Sequence, residues 1–123
     1  MSASGWFERD AALPDIARGY TGEGKDRRWN YDMTPQKGSS AGGGYATAMD
    51  LFRFARFVAN DPATPASYPG RNGLGIAGGA DGINAALEWN GRNGYIVIVL
   101  ANLDPPAAEK LAQRLIRAAP AGR

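Results

Sequence analysis

A chain of 123 residues with 44% hydrophobic content is long enough for one globular domain with a single core, and short for two. Its formal net charge of +2 is small and comes from dispersed residues, so neither a nucleic-acid surface nor an anionic-membrane surface is predicted. It has no cysteine and no histidine, which excludes a cysteine nucleophile, a Ser-His-Asp triad and the usual zinc ligands.

No apolar run is long enough to cross a bilayer, and the first residues have neither a basic region nor an apolar signal core. We therefore expect a soluble protein that is cytoplasmic as written, or periplasmic if Met1 is not the natural start. Residues 1–123 are expected to form one domain.

The segment 1–43 is rich in glycine and polar residues, with aromatic residues inserted. It is predicted to be loop-rich, with short strands. Ile16–Tyr20 is predicted as one strand, pairing with Arg28–Tyr31 across the turn Gly22–Gly24.

A first helix is predicted over 48–59, because Leu51, Phe54, Ala55 and Val58 recur at helical spacing. Thr47 and Asp50 form a variant of the capping box, with the Asp50 carboxylate at the positive helix end. Phe52 and Phe57 widen the apolar surface, and core packing on two sides is the favoured explanation.

The segment 73–119 is predicted to contain a strand hairpin and a second helix. Ile83–Trp89 and Tyr95–Asn102 are the strands of the hairpin, joined by a turn at 90–94. The second strand is apolar without alternation, which predicts a central strand covered on both faces.

The second helix is predicted over 105–119, with Asp104 as its cap and Pro105 at its first position. Its apolar stripe consists of Ala108, Leu111, Ala112, Leu115, Ile116 and Ala119. The pattern as a whole predicts an α/β or α+β fold: a small, mainly antiparallel sheet covered by helices.

Two stretches resemble the C-terminal part of the serine β-lactamase and penicillin-binding-protein-like hydrolases of class C type. They are Gly42–Ala55, with Gly-Gly-Gly-Tyr before a helix, and Gly78–Ala85 together with Val97–Ala108. The resemblance implies a partial β-lactamase-like fold. The family attacks carbonyls with a Ser-x-x-Lys serine, helped by a Tyr-x-Asn loop and a Lys-Thr-Gly or His-x-Gly strand. The first two motifs are absent from the sequence.

The family's third motif aligns with Gly75–Gly82. Ile76 then occupies the basic position, followed by Gly78, and Gly79 occupies the position whose backbone N–H completes the family's oxyanion hole. Because isoleucine carries no charge and donates no hydrogen bond, only the backbone of this candidate binding strand is retained.

Other candidate chemistry is weak. Thr34-Pro-Gln-Lys37 has Ser-x-x-Lys spacing, but it contains a proline and lacks a helical pattern. A dinucleotide-binding fingerprint is present at Gly73, Gly75 and Gly78, but the sequence around it lacks the preceding strand and the following helix that this motif requires. Tyr45, Asp81, Glu88 and Asp50 form no evident acid–base pair. The sequence therefore predicts no catalytic residue, metal site or cofactor.

Three hypotheses follow. The favoured one is a truncated β-lactamase-like serine hydrolase fragment that is inactive alone. The second is a noncatalytic module that forms a homodimer or binds protein, because loss of the family's N-terminal half would leave sheet surface uncovered. In the third, the chain complements a separate polypeptide that carries the nucleophile.

Overall fold

The fold is α+β, with two α-helices, a two-stranded sheet and a three-stranded sheet, both antiparallel. The computed structural model describes residues 1–8, 11, 14–34, 37–63, 73–91 and 93–120. The elements in chain order are β1 (Tyr20–Thr21), β2 (Arg28–Trp29), α1 (Ala48–Asn60), β3 (Gly73–Ala80), β4 (Ile83–Asn90), β5 (Ile96–Ala101) and α2 (Ala107–Ala118).

The larger sheet has the order β3-β4-β5, so β4 lies in the centre. The turn Asp81–Gly82 joins β3 to β4, and Ala80 pairs with Ile83 beside it. Gly82, the second residue of this loop, adopts a φ of 74°, a left-handed conformation that glycine adopts without strain. This turn fixes the register of all eight β3 residues against β4.

Helix α2 covers one face of this sheet and contacts β4 and β5. The core there is built from small side chains: Ala86 on β4 and Ala108 and Ala112 on α2 are buried, and Val97, Val99 and Ala101 pack around them. Alanine at these positions lets the helix approach the sheet closely.

Helix α1 contacts β5 and begins as the sequence predicts. The Thr47 hydroxyl accepts a hydrogen bond from the Asp50 backbone N–H at 3.2 Å, which confirms the N-cap. Ala55 and Val58 are buried, and Leu51 and Phe54 are partly buried. The helix ends at Asn60, one residue later than expected.

Two predictions about apolar residues are wrong. Phe52 and Phe57 do not enter the core, since both are exposed on α1. Leu111 and Leu115, which were predicted to lie on the buried stripe of α2, are exposed as well.

The predicted central position of β5 is also wrong, because β5 lies at an edge of the described sheet. The apolar residues on both faces of β5 have another cause, because both helices contact this strand. A continuous apolar run indicates that both faces of a strand pack against other residues, and it does not require a neighbouring strand on each side.

Asp104 does not cap α2, which begins two residues later than predicted, at Ala107. Instead, the Ala108 backbone N–H donates to Asn84 Oδ1 at 2.6 Å. The free N–H groups at a helix start need acceptors, and a buried side chain from the sheet provides one here.

The short sheet agrees with the predicted pairing but is smaller. Tyr20 pairs with Trp29 and Thr21 with Arg28. Ile16 to Gly19 are not strand residues, and Tyr31 begins a 3₁₀ turn. Among the described residues, no helix is long and apolar enough to span a membrane.

Candidate functional site

The three residues predicted as a binding site, Ile76, Gly78 and Gly79, all lie on β3. This strand is an edge of the sheet in the described part of the chain. In an antiparallel pair, alternate residues direct their backbone N–H and C=O groups away from the partner strand. The outer side of β3 therefore presents a row of backbone donors and acceptors.

The register separates the three side-chain positions. Ala77 and Gly79 pair with Ala86 and Asn84, on the sheet face that α2 covers. Ile76 and Gly78 point to the opposite face, and Ile76 is exposed there. An isoleucine side chain offers a ligand only apolar contact, so polar recognition at this edge depends on the backbone.

Packing within the protein explains the glycine at one of these positions but not at the other. A Cβ atom at Gly79 would lie 2.7 Å from the carbonyl oxygen of Ile83 and 2.7 Å from Pro105 Cγ, so glycine is required by the protein's own packing. A Cβ atom at Gly78 would meet nothing within 4 Å. Internal packing therefore does not explain Gly78, whose missing side chain leaves open space beside the strand edge.

Hydrogen bonds to Asp104 fix the turn at the end of β3. Its carboxylate accepts from the Gly82 N–H at 2.6 Å and from the Gly22 N–H at 2.9 Å. These two backbone hydrogen bonds lower the pKa of Asp104 below its usual range, against a smaller opposing effect of burial. Asp104 is a structural junction between the β3–β4 turn and the β1 segment.

Two asparagines complete this junction, and sequence analysis singled out neither. The Asn30 side chain is buried and donates to the Asp81 carbonyl oxygen at 2.8 Å. Asn84, also buried, donates to the Gly78 carbonyl oxygen at 3.0 Å while it accepts from Ala108. Asn84 thereby links the candidate strand to the start of α2. The contacts of Asn30 with Asp81 and of Asn84 with Ala108 join residues far apart in the chain, so no local pattern predicts them.

Asp50 forms a second junction. Its buried carboxylate accepts from the Ala3 N–H at 2.7 Å, the Ser4 hydroxyl at 2.8 Å and Arg53 Nη1 at 2.8 Å. Burial acts to raise the pKa of Asp50, but these hydrogen bonds outweigh it and lower the value to about 2. Asp50 therefore stays ionised at neutral pH. The structure gives it the task of holding the N-terminal segment on α1, beyond the predicted role at the helix end.

Thr34 and Lys37, which have the spacing of a nucleophile and its base, each contact another residue. The Thr34 hydroxyl donates to the Tyr31 carbonyl oxygen at 2.8 Å. Lys37 Nζ lies 3.5 Å from Glu8 Oε1 in an exposed ion pair. Pro35 and Gln36, between them, lie outside the described residues.

Other hydroxyl and acidic side chains also lie in turns and strands or make contacts within the protein. Tyr45 packs edge-on against Phe7, with ring centroids 5.5 Å apart. The exposed Ser39 accepts a hydrogen bond from the Ala41 N–H through its hydroxyl. Asp81 lies in the β3–β4 turn and Glu88 lies within β4.

The described residues show neither the geometry of a metal site nor that of a dinucleotide-binding motif. No group of three or more acidic side chains is placed to hold a metal ion. Gly73, Gly75 and Gly78 lie within β3 and lead into a turn and another strand. A dinucleotide fingerprint requires glycines between a strand and the start of a helix.

The chain was compared with protein-family models, with curated proteins and with solved structures, and none of the three comparisons gave a match.

Proposed function

We propose that these 123 residues form the noncatalytic C-terminal scaffold of a β-lactamase-like serine hydrolase, inactive alone, with the nucleophile lying outside them. In this function β3 provides backbone hydrogen-bonding groups beside a reactive serine that belongs to a separate nucleophile half. That half would carry the Ser-x-x-Lys and Tyr-x-Asn motifs.

The order of elements supports this proposal. The resemblance implies a helix after Gly-Gly-Gly-Tyr45, then a third-motif strand, a strand hairpin and a C-terminal helix packed on the sheet. The chain has α1 after Tyr45, then β3, β4 and β5, then α2 on the β4–β5 face. The strand that aligns with the third motif is an edge of the described sheet.

The contrast between Gly78 and Gly79 is the observation that carries the proposal. Gly79 is held against Pro105 and Ile83, which fixes the backbone at the position aligned with the family's oxyanion hole. Gly78 leaves open space beside it. A fixed backbone donor beside an open approach is the arrangement that stabilises a developing oxyanion.

Mixing with a nucleophile half tests the proposal. The reagent is a fluorophosphonate, and the partner is a class C-type hydrolase cut before its Gly-Gly-Gly-Tyr helix, so that the two parts have no element in common. We expect the serine of that half to be labelled only when this chain is present, because the two parts then complete one site.

The matched control is Gly78→Lys, whose side chain has room in the free chain but fills the approach to the strand edge. It should fold normally and fail to restore labelling. Labelling of the half to the same extent with and without this chain would contradict the proposal.

Exposed apolar residues at the margins of one sheet face favour a second candidate, a dimerising module. Ile76, Ile83 and Leu100 are exposed apolar residues on the face away from α2. A second copy that covered them would bury apolar area. This candidate predicts a dimer in sedimentation that Ile83→Ser dissociates, whereas the scaffold function predicts a monomer without its nucleophile half.

A further inference from the structure

Helix α1 has an apolar face that no described residue of the chain covers. Its outer stripe consists of residues spaced i, i+3, i+4, i+7, i+8 and i+11, namely Met49, Phe52, Arg53, Arg56, Phe57 and Asn60. All six are exposed and line an open groove of about 520 Å³. At about 100° per residue, this stripe lies opposite the buried stripe of Leu51, Phe54, Ala55 and Val58.

The apolar exposure on this stripe is large. Met49 is 56% exposed, Phe52 37% and Phe57 64%. From Met49 to Asn60 the stripe runs for about 16 Å, or three helical turns, at 1.5 Å per residue. Methionine, aromatic residues and arginine are the types enriched in protein–protein interfaces. The length and periodicity of the stripe match those of a partner helix packed along it.

The charges on the stripe decide what kind of helix fits. Arg53 forms an ion pair with Asp50, whose carboxylate is fully buried. Arg56 lies over the Phe52 ring at 5.8 Å and makes no salt bridge to a described carboxylate. The stripe contains no acidic side chain. With Arg53 paired to Asp50, Arg56 supplies the positive charge that no described carboxylate neutralises, so a complementary partner is acidic.

This charge pattern disfavours two other occupants. A second copy packed two-fold on the stripe would bring arginines from both chains together, and like charges brought together in this way oppose association. Anionic membranes are bound by clusters of about four to eight basic residues, whereas the stripe has two.

We propose that the outer stripe of α1 docks an amphipathic helix of another polypeptide, with apolar residues at i, i+3, i+4 and i+7 and acidic residues flanking them. Phe57 and Met49 provide the apolar contacts, and Arg56 pairs with a flanking carboxylate. The proposal is independent of the serine-hydrolase scaffold function, because it requires neither β3 nor a nucleophile.

Selection from a phage-displayed library of helical peptides on the full chain tests this surface. The enriched peptides should combine the apolar spacing with flanking glutamate or aspartate. Their affinity, measured by fluorescence anisotropy, should fall at least about tenfold for Arg56→Glu and for Phe57→Ser, where tenfold corresponds to one decade in Kd. Both side chains are exposed, so both variants should retain the circular dichroism of the parent chain.

The matched controls lie on α2, where Arg114 and Leu111 are likewise exposed. Arg114→Glu and Leu111→Ser should bind the same peptides within about twofold, since a change of that size is below half a kcal/mol. Absence of enrichment, enrichment of basic peptides, or binding that ignores Phe57→Ser would overturn the proposal.

Two further outcomes would overturn it in favour of another occupant. A dimer in sedimentation that Phe57→Ser dissociates would identify a second copy. Binding to phosphatidylserine vesicles that Phe57→Ser abolishes, without peptide enrichment, would identify a membrane surface.

Discussion

The N-terminal segment up to Thr47 and the sheet–helix unit from β3 to α2 are held in place by different forces. The segment has two short strands and joins the rest of the protein largely through hydrogen bonds to the Asp50 and Asp104 carboxylates and from its own Asn30 to the Asp81 carbonyl oxygen. The unit is built on largely apolar strands and an amphipathic helix with an alanine-rich core. Apolar periodicity can be recognised in a sequence, whereas long-range polar junctions cannot. The two regions should therefore respond differently to substitution and to pH.

The largest effect is expected inside the sheet–helix unit, for Asn84→Ala. This change leaves the buried Ala108 N–H without its acceptor and removes the donor to the Gly78 carbonyl oxygen. The free energy of unfolding should fall by about 2–3 kcal/mol in urea denaturation, the cost of an unsatisfied buried group. The matched control, Asn60→Ala on exposed helix surface, should cost about 0.5 kcal/mol. Equal losses for the two variants would show that Asn84 does not link β3 to α2.

Acid should act on the polar junctions rather than on the apolar unit. The folded-state pKa of Asp50 is about 2, below its ordinary value of 3.8. The stabilisation from its ionised form is therefore complete above about pH 4 and is lost as pH falls through about 2. The lowered pKa of Asp104 acts in the same direction. Urea denaturation of the parent chain between neutral pH and pH 2 should show this decline.

Asp50→Asn is the control for the acid effect, because the amide does not titrate in this range. Its free energy of unfolding should decline less steeply below pH 4 than that of the parent chain. Parallel declines for the two proteins would show that Asp50 does not carry the acid sensitivity.

Substitutions at the two adjacent glycines of β3 should have a smaller effect, and Gly78 serves as the control for Gly79. Gly79→Ala should lower the free energy of unfolding by about 2 kcal/mol, because its methyl group collides with the Ile83 carbonyl oxygen and Pro105. Gly78→Ala enters open space and should change stability by no more than about 0.5 kcal/mol. A reversed order of the two variants in thermal or urea unfolding would contradict the geometry of the strand edge.

The smallest effect is expected at the start of α1. Thr47→Ala removes the acceptor for the Asp50 N–H and should cost about 1 kcal/mol in urea denaturation. Thr47→Ser keeps the hydroxyl and should recover most of this loss. A loss that serine does not recover would indicate that the threonine methyl group, rather than the cap, stabilises the helix.

The sequence predicts the elements whose residues repeat at short range. The spacing of Ala55 and Val58 predicts α1, Thr47 predicts its cap, and the alternation of turns and apolar runs predicts β4 and β5. The antiparallel α+β class follows from these elements. The predicted site residues Ile76, Gly78 and Gly79 lie together on β3, yet their position at a sheet edge depends on strand order, which the sequence pattern does not determine.

The wrong predictions share a cause, because one residue type can serve in more than one structural role. An aspartate before a proline is typical of a helix cap, but Asp104 is used by two distant glycine N–H groups. Phenylalanine in an amphipathic helix is typical of a core, but Phe57 is exposed on the outer stripe of α1. In both cases a competing tertiary contact, or its absence, decides the outcome.

The most direct test of the central claim, that the chain is a scaffold without a nucleophile, is its intact mass after separate incubation with a fluorescent penicillin and with a fluorophosphonate. We expect an unmodified mass and a folded circular dichroism spectrum. The Ser4 hydroxyl donates to the Asp50 carboxylate, whose pKa of about 2 makes it a weak base, and the Thr34 hydroxyl donates to a backbone carbonyl. A stoichiometric adduct on Ser39, Ser40 or another hydroxyl of this chain would contradict this claim.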